Sequence, residues 1–143
     1  MINKLNVTSI IVLDKEQALD FYVNKLGLEK GNDVKQGSYR WLTVRVPGEP
    51  DVEISLEEPG PPLHDEATAA ELRELVTKGA LGGLVFQSDD VKGLYETLKA
   101  RGVTDFTQEP TERFYGTDMG IRDPFGNPIR ILQQKKVARA KTA

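Results

Sequence analysis

The feature that most restricts this chain is an order of elements that runs through it twice. The first pass opens at residues 6–13, a run rich in Val, Ile and Thr that reads as a strand. Asp14, with Gln17 three residues on, marks a helix start. Ala18, Phe21, Tyr22 and Leu26 then recur on one helical face, and Gly27 ends the helix. Residues 28–34, 38–46 and 52–56 read as three strands, the last two separated by the turn PGEP. The second pass repeats the order. Residues 83–87 form a strand, and Asp89 and Asp90 open a helix carrying Val91, Leu94, Tyr95 and Leu98. Gly102 stops that helix. Strands follow at 106–109, 113–121 and 129–133, with DPFGNP as the last turn.

The two passes align at an offset of 76 residues, from Asp14 to Asp90. Val52, Glu53 and Ile54 align with Ile129, Arg130 and Ile131 at one residue more. Identity between the halves is low, so the repeat lies in the order of elements. The order predicts an α+β chain of two tandem βαβββ modules at 1–60 and 81–135. Between them, residues 61–80 hold a linker. PGPP is non-helical, Thr68 and Glu71 suggest a capping box, and Leu72, Leu75 and Val76 form an apolar stripe ended by Gly79. Residues 136–143 are a short basic segment expected to be a disordered tail.

Composition removes several classes of function. The chain has no cysteine, which excludes disulfides, thiolate metal sites and cysteine nucleophiles. A net charge of −3 without a concentrated basic face argues against nucleic acid. The opening residues are too short an apolar run for a membrane span and lack a small-residue cleavage site, so a cytoplasmic protein without membrane contact is expected. No dinucleotide-binding, Walker or nucleophile-elbow motif is present.

The runs VLDKEQALDFYVNKLGL and IRDPFGNPIRIL carry a family likeness. The first joins a helix-capping Asp, an aromatic pair and Leu-Gly; the second is a D-P-x-G-N turn entering the last strand. Together they resemble the glyoxalase/bleomycin-resistance/extradiol-dioxygenase (vicinal-oxygen-chelate, VOC) superfamily. The resemblance implies sheets that curl into a curved, half-open mixed barrel with outer helices and a cavity inside. In metal-using members, four ligands reach that cavity from the first and fourth strands of each module. The corresponding positions here are Val7, Glu53, Gly83 and Arg130. Only Glu53 has a lone pair to offer, and Arg130 carries a fixed positive charge. No metal and no other cofactor is therefore expected. The single histidine, His64, lies in the PPLHDE loop outside those strands and reads as a loop residue.

In place of a metal, Glu53 and Arg130 are expected to converge as a bidentate ion pair, with Arg130 also available to an anionic or carbonyl group of a ligand. Strand alternation adds Val7, Ser9 and Ser55 to the cavity wall, giving an apolar cavity with a few polar groups. Trp41 is placed to stack a flat ligand, while Phe114 and Tyr115 fall on the seventh strand. Glu57 and Glu58 read as a solvated strand end. The expected ligand-binding set is thus Val7, Ser9, Trp41, Glu53, Ser55, Phe114, Tyr115 and Arg130, with no catalytic residue assigned. The first expectation is a small-molecule binding protein, bleomycin-resistance-like, acting by sequestration. The alternative is a VOC-type lyase, isomerase or dioxygenase acting on a small oxygenated metabolite. The resemblance further implies a homodimer.

Overall fold

A computed structural model of the 143-residue chain describes residues 1–135, so the basic segment 136–143 lies outside the described residues. The repeat is realised as two four-stranded mixed sheets. In the first module, β1 (Val7–Ile11), β2 (Glu29–Gln36), β3 (Tyr39–Arg45) and β4 (Glu53–Glu57) lie in the order β1-β4-β3-β2. In the second, β5 (Leu84–Gln87), β6 (Phe106–Arg113), β7 (Gly116–Arg122) and β8 (Pro128–Gln134) lie as β5-β8-β7-β6. In each sheet the first strand runs parallel to the last and the other pairs are antiparallel. The chain is α+β, with two tandem βαβββ modules and no closed barrel.

The helices form where the caps lie. Asp14 accepts from the Gln17 N–H at 2.9 Å and starts α1 (Lys15–Leu19). Asp90 accepts from the Gly93 N–H at 2.9 Å and starts α3 (Val91–Ala100). The linker helix α2 (Glu66–Thr77) begins earlier than the suggested Thr68/Glu71 box. Asp65 is its cap, and its carboxylate takes the Thr68 N–H at 2.7 Å. The helix packs through Ala69 and Val76, while Leu75 is exposed. The first helix also departs from expectation. After Leu19 it continues as a π-helical segment, Asp20–Lys25, in which the Leu26 N–H reaches the Phe21 carbonyl at 2.8 Å. The wider turn keeps both Phe21 and Tyr22 buried.

One continuous apolar core serves both modules, from Ile10, Val12, Leu42 and Leu56 to Leu98, Met119, Ile121 and Ile131. α1 packs on β4, and α3 on β6, β7 and β8, so each sheet has one helix-covered face and one open face. The DPFGNP turn joins the modules. Asp123, 2% exposed, accepts the N–H groups of Phe125, Gly126 and Asn127 on Oδ1 at 2.9–3.0 Å. Its Oδ2 accepts the Tyr22 hydroxyl at 2.6 Å and the Asn127 amide at 2.7 Å. Asn127 Nδ2 also donates to the Ile11 carbonyl at 2.7 Å. Gly126 is required twice: its φ is +112°, and a Cβ there would stand 2.4 Å from the Val76 carbonyl at the end of α2.

Tyr22→Phe removes one hydrogen bond to a buried carboxylate across the modules. It is expected to lower unfolding free energy by about 1.5–3 kcal/mol, read from urea denaturation, with the fold retained. A second expectation concerns acid. Arg40 binds Asp33 on neighbouring β2 at 2.8 Å and also contacts Glu16 of α1. The Arg40 hydrogen bond, against some burial, lowers the Asp33 carboxyl from 3.8 to about 2. A depressed folded value means this contribution is present above pH 3.8 and lost as pH falls through about 2. The stability difference between wild type and Asp33→Asn should therefore shrink across that window, and a constant difference would contradict the assignment.

Candidate ligand-binding faces

Pairing register decides which side chains share the open faces, because residues opposite one another point the same way. On the first sheet, Val7 stands opposite Glu53, Ser9 opposite Ser55 and Ile11 opposite Glu57. Thr43 stands opposite Ser55, and Trp41 and Tyr39 follow on the same face of β3. Their neighbours Ile10, Leu42, Ile54 and Leu56 are the core-facing set. Val7 and Trp41 are half-buried, Ser9 is exposed and Ser55 is fully buried.

This face is more polar than alternation alone suggested. Glu53 accepts the Thr43 hydroxyl at 2.6 Å and the Asn32 amide at 3.0 and 3.1 Å. The bulge in β2 between Lys30 and Asp33 makes room for this cluster. A Cβ at Gly31 would stand 2.1 Å from Glu53 Oε1 and 2.5 Å from Thr43 Oγ1, so a side chain there would displace this cluster. Glu57 accepts the Tyr39 hydroxyl at 2.7 Å and the Ser55 hydroxyl at 2.5 Å. It is 7% exposed, not the solvated strand end read from EEPG; Glu58 alone is exposed. The signal was present in the sequence: two steps of period two from Glu53 lead through Ser55 to Glu57.

On the second sheet Arg130 stands opposite Val85 and Gly120, and Asp118 opposite Leu132 and Thr111. Arg130 donates to Asp118 Oδ2 at 2.5 Å, and its side chain remains 46% exposed over a carboxylate that is 7% exposed. The Tyr115 hydroxyl donates to the same oxygen at 2.6 Å. Burial works to raise the Asp118 carboxyl, but Arg130, Tyr115 and the charge of Arg113 outweigh it and hold it below the usual range. The same hydrogen bond, with burial, pushes the Tyr115 hydroxyl up. Phe114 and Tyr115 are not on the seventh strand as expected. They form the β6–β7 turn, with Phe114 90% exposed and edge-on to Tyr115.

The expected Glu53–Arg130 pair does not form. Arg130 pairs with Asp118, and Glu53 is held by neutral donors. The reason is register. Val7 opposes Glu53, whereas it is Val85, the counterpart of Ser9, that opposes Arg130. Arg130 therefore occupies the place of Ser55, and the alignment of Glu53 with Arg130 was off by two residues. Either alignment leaves the family's metal positions without a donor set. Among the described residues no three His, Asp or Glu side chains gather around a common point. The residues present do not fit a divalent cation. His64 sits in the loop before α2 and accepts the Gly60 N–H at 3.3 Å.

A family model described as Glyoxalase/Bleomycin resistance protein/Dioxygenase superfamily matches residues 4–131. The chain belongs to this superfamily. Among solved structures, UcmS2 superposes with a TM-score of 0.87 at 42% identity, covering 92% of this chain and 98% of that one. TnmS3, an antibiotic binding protein from Streptomyces sp. CB03234, superposes with a TM-score of 0.73 at 29% identity, covering 93% and 97%. A curated relative, the uncharacterized protein YurT of Bacillus subtilis (strain 168), is 37% identical over 92% of this chain and 99% of its own.

Because Glu53 and Arg130 have separate partners, a double-mutant cycle of Glu53→Ala and Arg130→Ala should be additive within about 0.5 kcal/mol. The same cycle on Asp118→Ala and Arg130→Ala should show a coupling beyond that margin. Chemical denaturation of the six proteins, with wild type and Arg130→Ala common to the two cycles, measures both.

Proposed function

We propose that this protein holds a small organic molecule against its open faces and performs no chemistry on it. The observation that carries the reading is Arg130. Its guanidinium is fixed by a buried carboxylate, yet nearly half of the side chain is accessible on the open face. A guanidinium so positioned suits a carboxylate, phenolate or carbonyl oxygen of a ligand. Trp41 on the other open face offers a surface for a flat ring, and Val7, Ser9, Glu53 and Ser55 complete that wall. The Phe114–Tyr115 turn presents two further rings at the rim. The likeness to an antibiotic binding protein supports a ligand of that general kind.

A homodimer is part of the same reading. β1 and β5 are the outer strands of their sheets, so each open face lacks a neighbour on one side. Val85 on β5 is 73% exposed. A groove of about 600 Å³, lined by Leu26, Leu28, Val46, Val85, Leu94 and Ile131, runs beside that strand. A second copy laid on this edge covers the exposed Val85 and the groove, whose lining also includes Glu49, Gln87 and Asp89, and walls in the faces. A cytoplasmic setting belongs to the same reading; among the described residues no helix is long and apolar enough to cross a membrane.

The test is a fluorescence titration of Trp41, the sole tryptophan, against flat antibiotics bearing acidic or carbonyl oxygens. Saturable quenching is expected. It should be unchanged after dialysis against a chelator and at least about tenfold weaker in Arg130→Ala. Light scattering should give twice the mass of the chain. Quenching that disappears with chelation, or turnover of the ligand during the titration, would overturn the reading.

A further inference from the structure

Away from Arg130 and Trp41, a groove of about 410 Å³ opens at the rim of the first sheet, where the start of α1, the β2–β3 turn and the segment after β4 converge. Glu57 lines it. That side chain is more than nine-tenths buried, and both of its hydrogen bonds are taken by Oε1, from Tyr39 and Ser55. Among the described residues Oε2 has no hydrogen-bond partner, and no cationic side chain lies within 4.0 Å of the carboxylate. Both donors are neutral hydroxyls. Burial and the Glu57 carboxylate push Tyr39 up to about 12, so it stays a donor and Oε1 stays occupied. Oε2 is the oxygen of this carboxylate left open to the groove, and a carboxylate without a countercharge favours a cation there.

The two cations of the groove are already engaged. Arg40 is shared by Asp33 and Glu16. Lys15 donates to the Arg40 carbonyl at 2.5 Å and lies 5.0 Å from the Tyr39 ring centroid. Against them stand Asp14, Glu16, Glu57 and Glu58, two more charges than the groove supplies in return. Pro59, Pro61, Pro62 and Leu63 supply the apolar part of the lining, the proline wall. We infer that this groove binds an organic cation, a primary ammonium or guanidinium carried on a small apolar body, with the cationic head on Glu57 Oε2 and the body against the proline wall. Glu57 and Tyr39 lie at the rim of the same open face as Trp41, but the groove includes neither Trp41 nor Arg130, so failure of one reading is distinguishable from failure of the other.

Protonated phenethylamine and its neutral analogue 2-phenylethanol, titrated into the full-length protein by ¹⁵N-HSQC, make the test. The amine should give saturable shifts at the amides of Tyr39, Glu57, Gly60 and Leu63, and the alcohol should not. Glu57→Gln should weaken the amine about tenfold or more. Glu57→Asp, which retracts the carboxylate by one methylene, should give an intermediate loss should the glutamine variant fail to fold. Lys15→Ala should leave binding unchanged or tighter. Equal shifts from the alcohol, no saturable shift with the amine, full binding by Glu57→Gln, or binding that appears only in Lys15→Ala would each overturn the inference. The last result would mean that Lys15 serves as the countercharge of Glu57.

Discussion

The fold depends on one buried carboxylate. Asp123 sits in the last turn, yet its partners come from both modules: its own turn, including Asn127, which in turn holds the end of β1, and the π segment of the first module. Five donors surround its two oxygens, which is how a charge can lie almost completely buried in an apolar core. The cost of losing a partner there is asymmetric, since the remaining groups stay buried without their bonds. This arrangement gives the D-P-F-G-N turn a physical meaning. Asp gathers the turn, Gly lets the end of α2 approach, and Asn reaches back to the first module.

The two open faces are chemically unlike although they descend from the same element order. The first carries Glu53 and Glu57, each fixed by neutral donors. The second carries a half-exposed arginine braced on a buried aspartate. Low identity between the halves allows this. The core-facing positions must stay apolar for the shared core to close, while the open positions are free to diverge. A chain with two copies of one scaffold can thus present an acidic wall and a basic one.

Much of the fold was legible because it is written in periodicities and caps. Alternation found the strands within a few residues, and Asp14 and Asp90 cap where the pattern placed them. Several of the errors share a cause: they needed knowledge of a partner distant in sequence. Within the π segment Tyr22 reaches Asp123, 101 residues away, a contact that no local pattern announces. The two-residue slip of Arg130 was invisible without the β5–β8 register, since a slip of two keeps the same face and breaks no hydrophobic pattern. The opposite error befell Glu57, where strand period had the right answer and composition of the EEPG run concealed it. Asp118 is the residue whose role was least readable, because nothing nearby in sequence announces that Tyr115 and Arg130 meet on it.

The placement of the Asp123 cluster bears on how a duplicated chain can evolve. Here the first module supplies a hydroxyl and a carbonyl, and the second an anion and an amide, so neither retains the full set. The halves have become complementary rather than equivalent. A gene cut back to one module would inherit stranded polar groups at the junction, which makes the fusion a step that is hard to reverse.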